Sequence, residues 1–351
     1  MISKLINSYC HTISDIGLER FHFSKVSVLK GSFYFNLLRK VLQENQFSMS
    51  GPPPKVDDGH KFEPASTIDG YLKIYRTSRA FNASVWADQK CTKFNDYLKQ
   101  HGLSGAVVAV SGGVDSACTL SLLKHTMGLP GSVLKKVLAI NQPIHSSDWA
   151  LNRSKELCEA MGVECVVVDQ TENHAALVKK VDEQVKITGN SFSTGQLRSY
   201  MRTPVSYYAA QVLSQEGNPA IVMGTGNQDE DGYLAYFCKY GDGAVDIQLI
   251  SDLHKSEVFT VSKHLGVPAS ILEAPPSADL WDGQEDEKEL GFTYDFIELF
   301  TGYYLPLEES DKAKFLEALD ENEREQFLKN KEACEKIHNK NKHKLVGIVN
   351  L

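Results

Sequence analysis

The sequence lacks the long apolar runs, paired cysteines and basic excess that mark several other classes of protein. No apolar run approaches the roughly 18 residues of a membrane span, so we expect a soluble protein with no membrane partner. Its seven cysteines never stand in C-x-x-C spacing and no secretory signal is apparent, which favours reduced thiols in the cytoplasm. The net charge is −8, from 37 Lys and Arg against 45 Asp and Glu, so we expect no nucleic-acid partner.

The N-terminal part of the chain lacks a convincing apolar period. Residues 1–48 are rich in Ser and aromatics, and the Pro/Gly-rich stretch 51–64 is typical of a linker. We therefore assign residues 1–83 to an extension and linker, largely disordered or loosely attached, and residues 84–351 to one domain. Acids at Asp15, Glu19 and Glu44 argue against an organelle transit peptide, which stays the less favoured alternative to a cytoplasmic location.

From residue 84 onward, short apolar segments alternate with helical patterns. This alternation predicts an α/β fold, a doubly wound parallel sheet flanked by helices, with a mostly helical C-terminal part after Lys255. The predicted strands are 106–110, 136–142, 163–169 and 220–224, and the predicted helices are 88–100, 115–127, 148–161 and 196–215.

The stretch "VVAVSGGVDS", from Val107 to Ser116, places a glycine turn directly after the first buried strand. Both the Walker pattern and the G-x-G-x-x-G fingerprint are absent from the chain. Gly112 and Gly113 allow the backbone to approach an anion at the carboxyl edge of a parallel sheet. Asp115 would repel a phosphate unless a cation stood between them, so the turn predicts a Mg²⁺-bound polyphosphate. A turn that merely caps a helix is the alternative.

This S-G-G-x-D-S turn resembles the pyrophosphate-binding loop of the ATP pyrophosphatases, which share an adenine nucleotide α-hydrolase-like, Rossmann-like fold. Those enzymes cleave ATP between the α and β phosphates and adenylate a substrate. A second segment, "GTGNQDEDGYLAYFCKYGDGAVDIQLISDLHKSEVF" from Gly224 to Phe259, is similar to that of the NAD synthetases within this group. The ordered motifs extend the resemblance over roughly residues 88–344.

The resemblance implies a role for each motif residue. Asp115 and Lys255 are the implied catalytic residues. The implied ATP-binding residues are Ala109, Val110, Ser111, Gly112, Gly113, Val114, Asp115, Ser116, Thr225, Lys255 and Ser277, the last standing where the family usually has Thr. The implied residues for the dinucleotide substrate are Lys239, Asp246, His343 and Lys344, with either Arg198 or Arg202.

Two of these assignments have open alternatives. Counting forward from Gly224 makes Glu230 the second magnesium ligand beside Asp115, whereas counting back from "KYGDG" makes it Asp231. The substrate arginine is Arg198 by the upstream count and Arg202 by the downstream count.

The resemblance implies an ammonia-dependent NAD synthetase, a carbon–nitrogen ligase. It would amidate nicotinate adenine dinucleotide (deamido-NAD) to NAD through an adenylated intermediate, consuming ATP with Mg²⁺ and releasing AMP and pyrophosphate. A homodimer is implied as well. Because the 83 residues ahead of the domain are too few for a glutaminase domain, we expect free ammonia as the nitrogen source unless a separate chain supplies it. The alternative is another ATP pyrophosphatase ligase, such as a GMP synthetase-like subunit.

Overall fold

A computed structural model describes residues 67–274 and 286–350. Five strands form one fully parallel sheet in the order β3-β2-β1-β4-β5, which confirms the predicted doubly wound fold. At its centre, Val107 of β1 lies opposite Leu138 of β2 and Val222 of β4. The strands are β1 Gly105–Ala109, β2 Lys136–Asn141, β3 Glu164–Val167, β4 Ala220–Gly224 and β5 Ile247–Gln248.

Helices surround this sheet and continue beyond it. The α-helices are α1 Thr67–Arg79, α2 Ala83–His101, α3 Val114–Gly128, α4 Asp148–Met161, α5 Thr171–Val185, α6 Ser191–Gln215, α7 Lys255–His264, α8 Ala269–Leu272, α9 Asp286–Leu290, α10 Tyr294–Glu298, α11 Glu309–Ala318 and α12 Glu321–Asn341. Two π-helical turns cover Gln228–Leu234 and Leu299–Tyr304, and a 3₁₀ turn covers Lys342–Lys344. Within the described residues, each helix is too short or too polar to cross a bilayer.

The sheet is buried on both faces, which explains why its strands read as continuous apolar runs. Ala106 and Val108 of β1 belong to a core that α2, α3 and α7 complete. Val107 points to the opposite face, where Ala210 and Leu213 of α6 cover it. Helix α6 begins earlier than predicted because Asn190 caps it, its side chain accepting a hydrogen bond from the Ser193 amide.

A second core is rich in aromatic side chains and joins α1 to the C-terminal helices. Phe296, Phe300 and Phe327 stack and pack edge to face within it. Helix α1 contributes Leu72, of which 2% is exposed, and the partly buried Tyr71. This helix lies in the stretch that the sequence analysis assigned to the extension, yet it is packed into the core; residues 1–66 lie outside the described part of the chain.

Candidate active site

The loop after β1 is a compact turn held by two serines. The Ser111 amide donates to Ser116 Oγ at 3.2 Å, and Ser116 Oγ donates to the carbonyl of Gly113 at 3.0 Å. Gly112 has φ +84°, and a Cβ there would lie 2.5 Å from the carbonyl oxygen of Ala150. Glycine is therefore required at this position for both its conformation and its space.

Helix α3 follows this loop and offers its first amides to the carboxyl edge of the sheet. Its N-cap, Gly113, has no side chain that could accept from those amides. A helix N-terminus of this kind favours an anion. Asp115 stands in the first turn of α3, so its carboxylate shares the same edge.

The loop after β4 connects directly to Asp115. Asn227 is fully buried, and its side-chain oxygen accepts from the amides of Asp229 and Glu230, both at 3.0 Å. Its side-chain nitrogen donates to Asp115 Oδ1 at 2.9 Å. The ends of β1 and β4, neighbouring strands where the sheet order reverses, are thereby joined at the position where parallel sheets bind ligands.

Lys255, the first residue of α7, carries the positive charge of the site. Its side chain is 2% exposed, and Nζ lies 2.6 Å from Asp115 Oδ2 and 2.7 Å from Glu230 Oε1. The Tyr294 hydroxyl donates to the same Glu230 oxygen at 2.5 Å, and the tyrosine ring centroid lies 4.8 Å from Nζ. Two carboxylates therefore form ion pairs with the same ammonium group.

The charges of this cluster follow from burial and mutual attraction. Burial would lower the pKa of Lys255, but Asp115 and Glu230 more than offset it and raise that pKa. Burial opposes ionisation of Glu230, yet Lys255 keeps the pKa of this glutamate below its usual value. The pKa of Asp115 is raised by burial, with Lys255 acting against the rise and Glu230 adding to it. At neutral pH the cluster therefore contains a fixed ammonium and an ionised glutamate.

The same carboxylates fit a magnesium ion. Among the described residues, no group of three or more His, Cys, Asp or Glu side chains is arranged to hold a metal. Mg²⁺ needs no such group, because it prefers hard oxygens and is usually held by one or two carboxylates together with substrate phosphates and water. The two carboxylates that meet at Lys255 Nζ match that donor set.

Of the two alternative acids, Glu230 is the one that the structure brings beside Asp115. Asp231 turns away, accepts from Gln248 Nε2 at 3.0 Å and lies over Gly226. Burial, with Asp242 and Glu230 nearby, raises the pKa of Asp231 well above its usual value.

The cluster opens into a cavity of about 730 Å³, a size that suits a small-molecule substrate. The predicted site residues that line it are Ala109, Ser111, Gly112, Gly113, Val114, Asp115, Ser116, Arg202, Thr225, Glu230, Lys255, His343 and Lys344. Those outside its lining are Val110, Arg198, Asp231, Lys239 and Asp246. Ser277 lies outside the described residues.

Some predicted substrate residues are engaged within the fold. Asp246 accepts from the Val222 amide at 2.8 Å and from the Tyr207 hydroxyl at 3.1 Å. Its side chain therefore connects β4 to α6. Lys239 Nζ donates to the Gly347 carbonyl at 2.9 Å. By contrast, Arg202 lines the cavity, and its Nε donates to the Gln142 carbonyl at 3.3 Å.

Three residues of the cluster were not predicted from the sequence. Asn227 stands two residues after the Gly224-Thr225 pair, so its place just beyond a strand end was a usable signal. Tyr294 and Asp286 come from distant helices and carried no such signal. Asp286 accepts from the Tyr294 hydroxyl at 3.2 Å, and burial together with Glu230 raises its pKa to about 6.

The parallel sheet carries a phosphate-type loop where its strand order reverses, and an ion cluster lies at the same edge of the sheet. These features define a nucleotide-binding α/β protein of the adenine nucleotide α-hydrolase type. The family model described as NAD synthase matches residues 86–346, so the chain belongs to the NAD synthase family. The predicted family resemblance is thereby confirmed.

Individual relatives agree with this assignment. The chain is 39% identical over 205 residues to the NH(3)-dependent NAD(+) synthetase of Methanococcoides burtonii, covering 57% of this chain and 72% of the relative. It is 37% identical over 220 residues to that of Alkaliphilus oremlandii, covering 61% and 83%. Among solved structures, the NMN synthetase of Francisella tularensis superposes with a TM-score of 0.62 at 28% identity, covering 77% of this chain and 99% of that one.

Proposed function

We propose that this chain catalyses the ATP-dependent amidation of deamido-NAD by ammonia, producing NAD, AMP and pyrophosphate. The observation that carries the proposal is the buried Lys255 ammonium between Asp115 and Glu230, at the sheet edge where the phosphate-type loop opens into the cavity. The curated relatives at 37–39% identity, named for this reaction, support it.

The chain's own groups account for each step. The loop after β1 and the N-terminus of α3 would bind the ATP phosphates, and the nicotinate carboxylate would attack the α-phosphorus. Pyrophosphate leaves as the acyl adenylate forms, and the Lys255 ammonium offsets its growing negative charge. Ammonia then attacks the acyl carbon, AMP leaves with the C–O electron pair, and the nitrogen releases one proton as the amide forms. Mg²⁺ held by Asp115 and Glu230 would add charge neutralisation at the phosphates.

Arg202, His343 and Lys344 are our candidates for binding the dinucleotide, because all three line the cavity. Their positive or protonatable side chains suit the two phosphates of this substrate. We propose that Thr225 and Ser277 add hydroxyl contacts to ATP. Lys239, Asp246 and Arg198 do not line the cavity. Their predicted substrate roles would therefore require contacts with the dinucleotide outside it.

We propose that the enzyme is a homodimer joined through α5 and α6. Leu177, Val181 and Val185 follow one another at four-residue spacing on α5 and are 38%, 46% and 57% exposed. Tyr208 and Val212 of α6 are 73% and 38% exposed. Apolar side chains aligned along a helix surface are typical of a contact between subunits.

Charges placed in this surface are expected to prevent dimer formation. The double variant Val181→Glu/Val185→Glu should sediment as a monomer at concentrations where the wild type is a dimer, because burying two carboxylates would oppose association. The matched control is Val85→Glu on α2, an equally exposed valine at 51%, which should leave the dimer intact. A wild type that sediments as a monomer would contradict the proposal.

A reducing, cytoplasmic location agrees with the thiols. The cysteines of the described residues are all unpaired, and most are buried. In the cytoplasm such thiols stay reduced, and ATP and free Mg²⁺ are available.

A product assay tests the proposed reaction. Purified full-length protein with Mg²⁺–ATP, deamido-NAD and ammonium should form NAD, AMP and pyrophosphate in equal amounts, whereas glutamine in place of ammonium should give no NAD. Nicotinate mononucleotide is the second substrate to test, because of the similarity to the Francisella enzyme. Xanthosine monophosphate tests the GMP synthetase alternative. Turnover of either in preference to the dinucleotide would overturn the proposal.

A further inference from the structure

A chain of hydrogen bonds, most of it buried, links helix α1 to the first residue of α7. The Tyr75 hydroxyl lies 2.8 Å from His254 Nε2, and His254 Nδ1 lies 2.7 Å from Asp229 Oδ1. The second oxygen of Asp229 accepts from the Lys255 backbone amide at 2.7 Å. Asp229 and His254 are both fully buried.

The direction of these bonds follows from the donors present. A carboxylate only accepts, so His254 donates through Nδ1 to Asp229. In the neutral ring Nε2 accepts from the Tyr75 hydroxyl, and in the protonated ring Nε2 donates to that hydroxyl, so Tyr75 is its partner in both forms. Asp229 therefore fixes a proton on Nδ1, and the bond from Nε2 to Tyr75 fixes the orientation of the ring.

Asp229 acts on both ion-pair partners of the active site. Its side chain holds the backbone of Lys255, and it directly precedes Glu230 in the π-helical turn. The Asn227 side chain accepts from the amides of both acidic residues. A shift of Asp229 would therefore move Lys255 and Glu230 relative to each other.

Helix α1 is fastened to α7 at a second point. Arg79 Nη2 donates to Glu257 Oε2 at 2.9 Å and to the Asp252 carbonyl at 2.8 Å. Glu257 in turn accepts from the His254 amide at 3.0 Å. The position of Tyr75 relative to His254 is thus also set by the ion pair of Arg79 with the buried Glu257 and does not depend on one hydroxyl alone.

We propose that Tyr75, His254 and Asp229 are positioning residues that hold Lys255 and Glu230 in register, and that α1 is for this reason part of the working enzyme. Helix α1 precedes the residues matched by the family model, which begin at 86. The kinetic part of this inference rests on the proposed amidation, and the structural part does not.

The test compares two tyrosines of the same helix, each changed to phenylalanine in the full-length chain. Tyr75→Phe removes the hydrogen-bond partner of His254 Nε2, and we expect kcat to fall roughly 10-fold while KM for ATP and for deamido-NAD stays within about twofold, the scale of losing an outer hydrogen-bond partner. Tyr71→Phe is the matched control, since its ring packs against Phe315 and the substitution keeps that packing. Its kcat should equal that of the wild type.

A second readout is independent of catalysis. Amide hydrogen exchange of peptide 253–259 reports the bond from Lys255 to Asp229, and we expect faster exchange in Tyr75→Phe than in Tyr71→Phe at equal melting temperatures. Equal exchange and equal kcat in the two variants would overturn the positioning role. If the wild type turned over no nicotinate nucleotide, the proposed function would fail, and the exchange comparison would still decide this inference.

Discussion

Replacing Asp115 with alanine is expected to lower the turnover of the amidation at least about 100-fold, the scale of losing one preorganised charge-stabilising group. The carboxylate is one of two acids on the Lys255 ammonium, and it is our proposed magnesium ligand. Its side chain faces the cavity with 19% of its surface exposed, so the fold should survive the truncation. The measurement is kcat at saturating ATP and ammonium, with the far-UV circular dichroism spectrum as the check on folding.

One further variant separates charge from shape at this position, and a second variant elsewhere is the control. Asp115→Asn keeps the size of the side chain but not its charge, so it should lose nearly as much activity as the alanine variant. Asp88→Ala removes an aspartate that pairs with His125 on the surface, 61% exposed, and should leave kcat unchanged. Near-normal turnover in both Asp115 variants would contradict the proposed metal role and the function derived from it.

The fold could be predicted because its central elements have clear patterns in the local sequence. The first and fourth strands are short apolar runs buried on both faces, and each is bounded by glycine or polar residues. Helix α5 was missed although Leu177, Val181 and Val185 stand at helical spacing in the sequence; in the fold these side chains are exposed, and His174 is the only buried residue of the helix. The final strand, Ile247–Gln248, is two residues long and gives no period at all.

The site could be predicted only where one segment carries the geometry. The loop from Ser111 to Ser116 is such a segment, since its glycines and serines bond one another. The partners of Glu230 come from far along the chain: Tyr294 reaches it from α10 and Lys255 from α7. The choice between Glu230 and Asp231 depends on a π-helical turn that directs adjacent side chains to different sides, and no residue count contains that information.

Replacing Arg76 with methionine is expected to destabilise the chain by about 3 kcal/mol, the scale of breaking a buried ion pair from one side. Arg76 Nε and Nη2 donate to the two oxygens of Glu298 at 3.0 and 2.7 Å, and Nη2 also bonds Asp295. Glu298 and Asp295 are 1% and 4% exposed, so methionine would leave two buried carboxylates without this cation. Urea unfolding of the full-length chain measures the loss.

A more exposed cation of the same helix provides the control. Lys73→Met removes a lysine that is 72% exposed and pairs with Asp69 one turn away, so the change should stay within about 0.5 kcal/mol.

Adding Glu298→Gln to Arg76→Met should recover part of the loss, because a neutral amide tolerates burial without the guanidinium. Ser256, which follows Lys255 in α7, also donates to Glu298 of α10. The Glu298 carboxylate therefore connects the helices that carry Lys255 and Tyr294. Equal effects of Arg76→Met and Lys73→Met would mean that α1 contributes little to the stability of this region.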